Sequence, residues 1–345
     1  MDVPRVKDVL MALDAITGGR VVTDLGQYTR TSNRFVVIKS SGIPGKAVME
    51  TPGLVFGDPE QPVRKLAVTM TLTESQIELA GAMDIDAIVA HHPVADAANS
   101  GGVPLKFYLS LYGIAVFEVH EAFHGLHPGI PFLHGHRPVR VDIAYGGVPG
   151  NIMYVGEPLD GIRTAGDILH RLEDFMGFAR ERDALEGDRE LRDCPDAMET
   201  VVATGPQLLN GTPGAPVHQI LHIFPHTGFS DAHLSQALSE HPQVNTIVAS
   251  ISRVRPSSPL VEKAREMGLT FLVGNSHAVE ILENGMPLAY ALHALLPAVE
   301  VWLFRERVLA LPLERAGHAA VREYAQEMAG RFLLPSREAI RPSGR

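Results

Sequence analysis

Two adjacent histidines, His91 and His92, stand directly before a proline, Pro93. In a regular strand neighbouring side chains point to opposite faces, so both imidazoles reach one site only where the strand breaks. Pro93 supplies that break, because it fixes its own φ and lacks a backbone donor. Neutral imidazole is the commonest metal ligand among groups that titrate near neutral pH. The pair is therefore a candidate metal or catalytic site, and the alternative is two loop histidines with no shared role.

Two further segments carry histidines together with an acid. His120 and His124 are four residues apart, a spacing that puts both on one face if the chain turns helical there. Farther along, the segment GNSHAVE contains His277 and Glu280. Three histidines and a glutamate suit zinc or non-haem iron, whereas imidazole suits magnesium and calcium poorly. His120 can equally be a residue that orients a ligand through a hydrogen bond.

The elements that must position these residues read as strands of an α/β sheet. Apolar runs at 66–70 and 85–90 flank a helical stretch that begins with a Thr73–Gln76 capping-box pattern. A strand–helix–strand unit of this length favours parallel strands joined by a right-handed connection. A third apolar run, 114–119, ends at His120. Ligands bind at the carboxyl ends of strands in such sheets, which is where these histidines fall.

The remaining pattern predicts more elements of the same kind. Residues 180–196 carry many charges and read as a solvated helix and loop. Short strands are predicted at 133–136, 139–143, 200–204, 219–224, 246–250, 269–273 and 299–304. We expect three parts: an N-terminal α/β domain at 1–130, a middle region or insert at 131–240, and a C-terminal α/β part at 241–345 that completes the metal site.

The sequence pattern predicts that other histidines lie outside the site. His134 and His136, spaced i, i+2, are interpreted as part of a surface hairpin. His218, His222 and His226 recur every four residues, but the Gly/Pro-rich context argues against a helix, so we place them at a pocket edge or on the surface.

Composition excludes several classes of protein. The 345 residues carry a net charge of −10, so nothing favours general attraction to nucleic acid. A single cysteine excludes an internal disulfide framework and a CxxC zinc site. No apolar run approaches a membrane span, and the first residues lack the core of a signal peptide. We therefore expect a cytoplasmic protein with neither membrane nor nucleic-acid partners.

The segment from residue 53 to 93 resembles the N-terminal signature of the NIF3-like proteins. Gly53-Leu54, Gly57-Asp58-Pro59, Thr73 and His91-His92-Pro93 match that signature, while Thr71 stands where the family has Asp. The second signature is a strand ending in His-Thr-x-x-Asp, and it places His124 at the metal-binding Asp. The third, Gly-His-x-x-x-Glu, places Glu280 on the Glu. Counting puts Ser276 on the liganding His, with His277 one residue later.

The resemblance implies two α/β domains with mixed sheets facing a central metal cleft, assembled as a homo-oligomer, a hexamer. It implies metal ligands His91, His92, His124, His277 and Glu280, with Glu280 and His120 as catalytic residues. Because His124 replaces a bridging anion, the site should favour zinc or iron and hold one or two ions.

Three functions follow from this site. The first is a metal-dependent hydrolase acting on a small, nucleotide-like or heterocyclic substrate. The second is a non-catalytic metal- or ligand-binding protein, and the substitutions at Thr71 and His124 favour it somewhat. The third is a non-haem iron enzyme with oxygen or ring-opening chemistry.

Overall fold

The computed structural model describes residues 3–27, 32–40, 47–94, 102–148, 150–251 and 254–334. The chain divides into two compact units. The first comprises Met1–Phe178 and Thr204–Glu306, and the second comprises Ala179–Ala203 and Arg307–Arg345. All the candidate site residues lie in the first unit.

Strands occur throughout the chain and are numbered in order. They are β1 (Val37–Ser40), β2 (Ala47–Glu50), β3 (Gly53–Phe56), β4 (Lys65–Thr69), β5 (Ala87–Ala90), β6 (Ala115–Glu118), β7 (His136–Asp142), β8 (Met153–Pro158), β9 (Met198–Glu199), β10 (Gln207–Asn210), β11 (Ile220–Ile223), β12 (Thr246–Ile251), β13 (Thr270–Ser276), β14 (Glu300–Leu303) and β15 (Leu309–Ala310).

The α-helices are numbered in the same way. They are α1 (Val6–Thr17), α2 (Glu74–Ala82), α3 (Gly102–Tyr112), α4 (His120–Phe123), α5 (Gly129–Leu133), α6 (Ala165–Met176), α7 (Phe178–Leu191), α8 (Thr200–Ala203), α9 (Asp231–Glu240), α10 (Pro259–Glu266), α11 (His277–Glu280), α12 (Met286–Leu295) and α13 (Ala319–Met328). A π-helical turn, Ile281–Gly285, joins α11 to α12.

A five-stranded mixed sheet has the order β14-β4-β5-β6-β3. The first four strands run parallel, and β3 pairs antiparallel with β6. Every residue of β5 and β6 is buried, as expected of parallel strands covered on both faces. One face packs against α1 and α12 through residues such as Leu66, Val89 and Phe117, and the other packs against α2 and α3. The predicted strand–helix–strand unit is thus confirmed.

A six-stranded mixed sheet has the order β10-β13-β12-β11-β8-β7. Its central strands β11, β12 and β13 are parallel, and the outer ones pair antiparallel. Apolar side chains such as Ile247 and Phe271 pack under α9 and α10 on one face, and Ile168 of α6 packs on the other. The expected α/β class with mixed sheets is confirmed.

Helix and strand predictions were confirmed where the sequence has a strong capping motif or a clear apolar strand pattern. The Thr73 hydroxyl accepts from the Gln76 amide, and the Gln76 side chain returns to Thr73, so the capping box forms. The strand expected at 299–304 is β14.

Two strand predictions were wrong, because 200–204 contains helix α8 and Leu133 ends helix α5. At Thr200 the Glu199 carboxylate caps the helix by accepting from two backbone amides, which strand propensity does not capture.

The second unit contains most of α7, the short antiparallel pair β9–β15, and α13. The charged run at 180–196 is mainly helix α7, as predicted. Its charges form local contacts, including an ion pair of Arg307 with Asp188 and a hydrogen bond from Arg189 to the Ala197 carbonyl. Within the described residues, no helix has the length and apolar character needed to cross a membrane.

Candidate metal centre

Strands β14, β4, β5 and β6 run parallel in one register, so their carboxyl ends stop at one level. Their pairing aligns Leu303 with Val68, Thr69 with Ala90, and Ala90 with Glu118. Continued two or three residues past the strand ends, the same register sets four side chains side by side. That row, from one edge inward, is Glu306, Thr71, His92 and His120.

Contacts confirm this row. The His92 amide still donates to the Met70 carbonyl at 2.8 Å, beyond the end of β5. The Thr71 hydroxyl lies 2.9 Å from Nδ1 of His92. The rings of His92 and His120 lie 5.9 Å apart between centroids. The ladder of backbone hydrogen bonds therefore continues through His92, whose side chain lies at the carboxyl end of the sheet beside His120.

The first ligand group consists of His91, His92 and Glu280. Nε2 of His91 lies 3.7 Å from Oε1 of Glu280, and Nε2 of His92 lies 3.3 Å from Oε2. One ligand atom from each residue lies within 4.8 Å of the others. His91 and Glu280 are buried, and His92 is partly exposed. This is the spacing at which three side chains can share one cation.

Glu280 reaches this group from the other sheet. Strand β13 of the six-stranded sheet ends at Ser276, which begins the short helix α11 with Glu280 at its last position. The Asn284 amide donates to Oε1 of Glu280 at 3.0 Å and holds the carboxylate in place. The centre therefore draws on the carboxyl ends of strands from both sheets of the first unit.

The charge states in the first group suit a cation. Burial alone would raise the pKa of Glu280, but the nearby His92, through charge and a hydrogen bond, lowers it well below the usual range. Burial lowers the pKa of His91 well below 6.5, with Glu280 opposing that shift. Nδ1 of His91 is buried and has no hydrogen-bond partner among the described residues. Glu280 is thus ionised beside the neutral imidazole of His91, and divalent transition metals require those two protonation states, so these residues fit a metal ion.

A second group lies beside the first. Nδ1 of His120 is 2.9 Å from Oε2 of Glu50 and 3.8 Å from Oε1 of Glu121, and the three residues also meet the spacing of a cation site. Helix α4 ends at Phe123, and His124 directly after it brings its ring to that of His120, with centroids 4.6 Å apart. Nδ1 of His124 lies 3.4 Å from Oε2 of Glu121. The rings of His91 and His120 are 5.6 Å apart, so the two groups are contiguous.

Glu118, the last residue of β6, hydrogen-bonds both the segment after Glu50 and the segment after Pro93. One of its oxygens accepts from the Thr51 amide at 2.7 Å, next to Glu50, and the other accepts from the Val94 amide at 2.8 Å, just after Pro93. A single buried carboxylate thus holds both chain segments that carry acid or imidazole ligands.

His277 lies at the edge of the centre. Its Nε2 is 4.0 Å from Oε2 of Glu280, its side chain is 43% exposed, and its ring packs on those of His92 and His226. Ser276, which the resemblance aligns with a liganding histidine, hydrogen-bonds the Thr204 hydroxyl at 2.7 Å. His277 thus lies closer to Glu280 in space than the alignment with Ser276 implies, although His91 and His92 are nearer still, and its role as a ligand remains a prediction.

Three acids at the centre, Glu50, Glu121 and Glu306, were not predicted from the sequence. Glu121 had an available signal, because it follows His120 directly. Glu50 and Glu306 had none, since strand pairing brings each from a distant part of the chain. Burial raises the pKa of Glu306, while the nearby His92 and a hydrogen bond with Thr71 lower it.

The interpretation of His134, His136 and His222 as surface residues was wrong, because all three are fully buried. Nε2 of His136 contacts Nδ1 of His222 at 2.9 Å, and Nε2 of His222 contacts the Ser250 hydroxyl at 2.6 Å. The physical reason is glycine on the neighbouring strand. A Cβ built on Gly156 would lie 2.0 Å from the His136 ring, so the missing side chain lets that ring cross β8.

His134 enters the same interior by a similar route. A Cβ built on Gly274 would lie 2.2 Å from its Nε2. That nitrogen accepts from the Asn275 amide at 3.0 Å, and Nδ1 donates to the Ile130 carbonyl at 2.8 Å. Both ring nitrogens are therefore occupied, which leaves His134 without a free ligand atom.

Fold and centre together define a class: an α/β protein with two mixed sheets and a histidine–glutamate centre at the strand ends. The family model Duf34/NIF3 (NGG1p interacting factor 3) matches residues 43–98, the stretch that includes His91-His92-Pro93. This segment is therefore similar to the NIF3 family model, as its motifs indicated. Among curated protein sequences, none matches this chain.

Solved structures show the same fold. "Reduced HcgD from Methanocaldococcus jannaschii" superimposes with a TM-score of 0.56 at 13% identity, covering 88% of this chain and 98% of that one. A Bacillus cereus protein related to NIF3 gives 0.52 at 11% identity, covering 89% and 98%. Staphylococcus aureus hypothetical protein SA1388 gives 0.51 at 12%, covering 88% and 97%. At these identities the similarity establishes the fold.

Proposed function

We propose that this protein is a metal-dependent hydrolase of a small, nucleotide-like or heterocyclic molecule. The observation that carries the proposal is the convergence of His91, His92 and Glu280, whose ligand atoms lie within 4.8 Å of one another. His124 and His277 stand at the rim and complete the ligand set that the resemblance implies. The mainly nitrogen donor set favours zinc or iron.

A bound divalent ion supplies a water of lowered pKa and polarises the bond to be cleaved. The chain's own residues do the rest. Glu280 holds its negative charge in a buried position, which suits it as a ligand, whereas its lowered pKa makes it a weak proton acceptor at Oε2. His120 is oriented by Glu50 through Nδ1 at 2.9 Å, so Nε2 is the atom at which it would exchange a proton with substrate.

The net charge of −10 favours neither nucleic acid nor an acidic surface as a partner. The substrate we propose is therefore a free small molecule. A cytoplasmic location fits the single cysteine and remains part of the proposal.

Elemental analysis combined with an activity screen tests the function. Protein purified without chelator should contain zinc or iron and hydrolyse at least one member of a panel of nucleotides and cyclic amides. His120→Gln should lower turnover at least tenfold while the ion at the first ligand group stays bound, because it removes a proton-transferring group and leaves His91, His92 and Glu280 intact. Hydrolysis that persists at full rate in the chelated protein would overturn the proposal.

Two other outcomes identify the alternatives. Oxygen consumption by an iron-loaded protein would indicate the non-haem iron enzyme. A metal-bound protein with no turnover, but with saturable binding of one panel member, would indicate the binding protein, which the replacement of acids by Thr71 and His124 favours.

We also propose a homo-oligomer, a hexamer by resemblance. Multi-angle light scattering at micromolar concentration should then give the mass of six chains of 37.4 kDa. The mass of a single chain would contradict this assembly.

A further inference from the structure

A series of histidine rings leads from the buried centre to the protein surface. The side chains of His91, His92 and His277 are 3%, 19% and 43% exposed, in that order. His226, which is also exposed, follows His277. From His91 outward to His226, successive ring centroids lie 5.2, 5.3 and 4.9 Å apart. We call this series the histidine path.

The other side of the centre is more closed. The side chains of His120 and His124, which belong to the second group, are 19% and 10% exposed. Neither reaches the exposure of His277. The imidazoles that are most open to solvent therefore lie at the outer end of the histidine path.

The six-stranded sheet positions both outer residues of the path. Ala249 of β12 pairs with Ile223 of β11 on one side and with Val273 of β13 on the other. His226 follows Ile223 by three residues, and His277 follows Val273 by four. Because the three strands are parallel, their carboxyl ends lie at one edge of the sheet, and the two rings meet there.

The chemistry of these two rings suits a transient metal contact. A metal site enclosed by protein needs a path by which the ion enters. Neutral imidazole binds zinc and iron well. Among the described residues, neither His226 nor His277 belongs to a group of three ligand atoms within 4.8 Å of one another. Without a third close ligand, the pair would hold an ion more weakly than the first ligand group does.

We propose that His226 is an entry ligand, which captures a divalent transition metal ion at the surface and passes it through His277 to the first ligand group. The ring spacing of about 5 Å along the path lets one imidazole bind before the previous one releases. This inference rests on the metal site of the proposed function but not on hydrolysis.

Stopped-flow mixing of the chelator-treated protein with cobalt(II) at pH 7.5 measures entry, because cobalt gains visible absorbance as protein ligands replace its waters. His226→Ala should lower the rate constant for loading by about tenfold, the low end of the gain that a raised local concentration gives to an association rate. The rate constant for release into excess chelator should fall by the same factor, so the dissociation constant and the stoichiometry stay unchanged. Alanine also widens the path, so slower loading could not come from obstruction.

Two further variants sharpen the test. His226→Cys restores a metal-binding atom and should recover most of the loading rate. His218→Ala removes an exposed histidine outside the path and is the matched control. Unchanged or faster loading in His226→Ala would overturn the inference. So would a weaker affinity with faster release, because His226 would then be a permanent ligand. Slower loading in a protein that hydrolyses nothing would support the inference and refute the proposed function alone.

Discussion

Glu280 and Glu283 are three residues apart, both buried, and have opposite pKa shifts. The pKa of Glu280 is lowered despite its burial, because His92 and His91 face it. Burial raises the pKa of Glu283 well above its usual value, although the side-chain amide of Asn275 donates a hydrogen bond to Oε1 of Glu283 at 2.8 Å. The helix α11 and the π-helical turn after it thus place an acid with a lowered pKa in the candidate metal centre and an acid with a raised pKa behind it.

This pair gives a matched test of the metal assignment. Glu280→Gln removes the anion from the first ligand group and should weaken zinc binding by more than about 100-fold, beyond the usual loss for an outer residue. Glu283→Gln replaces a buried acid, whose pKa is raised, with a neutral amide of the same shape. It should leave zinc affinity unchanged and alter the free energy of unfolding by about 1 kcal/mol or less.

Competition titration with a zinc-chelating dye measures both affinities, and urea unfolding measures stability. Equal losses of zinc affinity in the two variants would mean that Glu280 acts through structure. A much larger loss in Glu283→Gln would place the metal elsewhere.

The double variant His91→Ala, His92→Ala should abolish tight binding of divalent metal while the fold persists. The two imidazoles supply the nitrogen atoms nearest Glu280, at 3.7 and 3.3 Å. Metal content by plasma mass spectrometry, with circular dichroism as a check on folding, measures the outcome. The control is His218→Ala with His293→Ala, since both of those residues are exposed. Wild-type metal content in the His91/His92 variant would refute the ligand assignment.

Aspartate at position 124 should raise metal stoichiometry and shift preference toward manganese or magnesium. An imidazole offers one lone pair to one ion, whereas a carboxylate has two oxygens and a charge. His124 already lies 3.4 Å from Glu121, so His124→Asp also puts two carboxylates together in the metal-free protein. Manganese should therefore raise the melting temperature of this variant more than that of the wild type.

His124→Asn has nearly the same size without the charge and is the matched control. Identical stoichiometry and metal preference in His124→Asp and the wild type would show that His124 binds no metal.

The buried histidines of the six-stranded sheet should make the fold sensitive to acid. Burial lowers the pKa of His134 to about 4 and, with the charge of His134 adding to it, that of His136 to about 3. Histidine in the unfolded chain titrates near 6.5. Below that pH the unfolded chain binds protons that the folded chain does not, so this stability is complete above about pH 6.5 and is lost as pH falls toward the folded pKa values.

Replacing one of these histidines should flatten the pH dependence. His136→Gln should reduce the slope of unfolding free energy against pH by up to about 1.4 kcal/mol per pH unit below pH 6.5. Urea unfolding at pH 7.5, 6.5 and 5.5 measures the slope, with exposed His218→Gln as the control. Parallel curves for His136→Gln and the wild type would mean that His136 is protonated in the folded protein.

Local chemistry made part of this site visible in the sequence. A buried run that stops at a proline predicts where His91 and His92 sit, because strand ends share an edge of the sheet. Glu306 follows no such rule, since only the pairing of β14 with β4 brings it beside Thr71. The burial of His136 depends on the missing side chain at Gly156. These two residues lie on different strands, and no local sequence pattern connects them. Sequence patterns predict which residues lie at the end of their own strand. They do not predict contacts between residues on different strands.

The common register of β14, β4, β5 and β6 also determines where this chain can change in length. One residue inserted between Thr69 and Thr71 would turn the hydroxyl to the opposite face and separate Glu306 from His92. The turns at the other edge, such as the one around Asp84 between α2 and β5, can lengthen without disturbing the alignment. Fusion partners, epitope tags and natural insertions should therefore be tolerated at the amino-terminal edge of the sheet and be deleterious at the carboxyl-terminal edge.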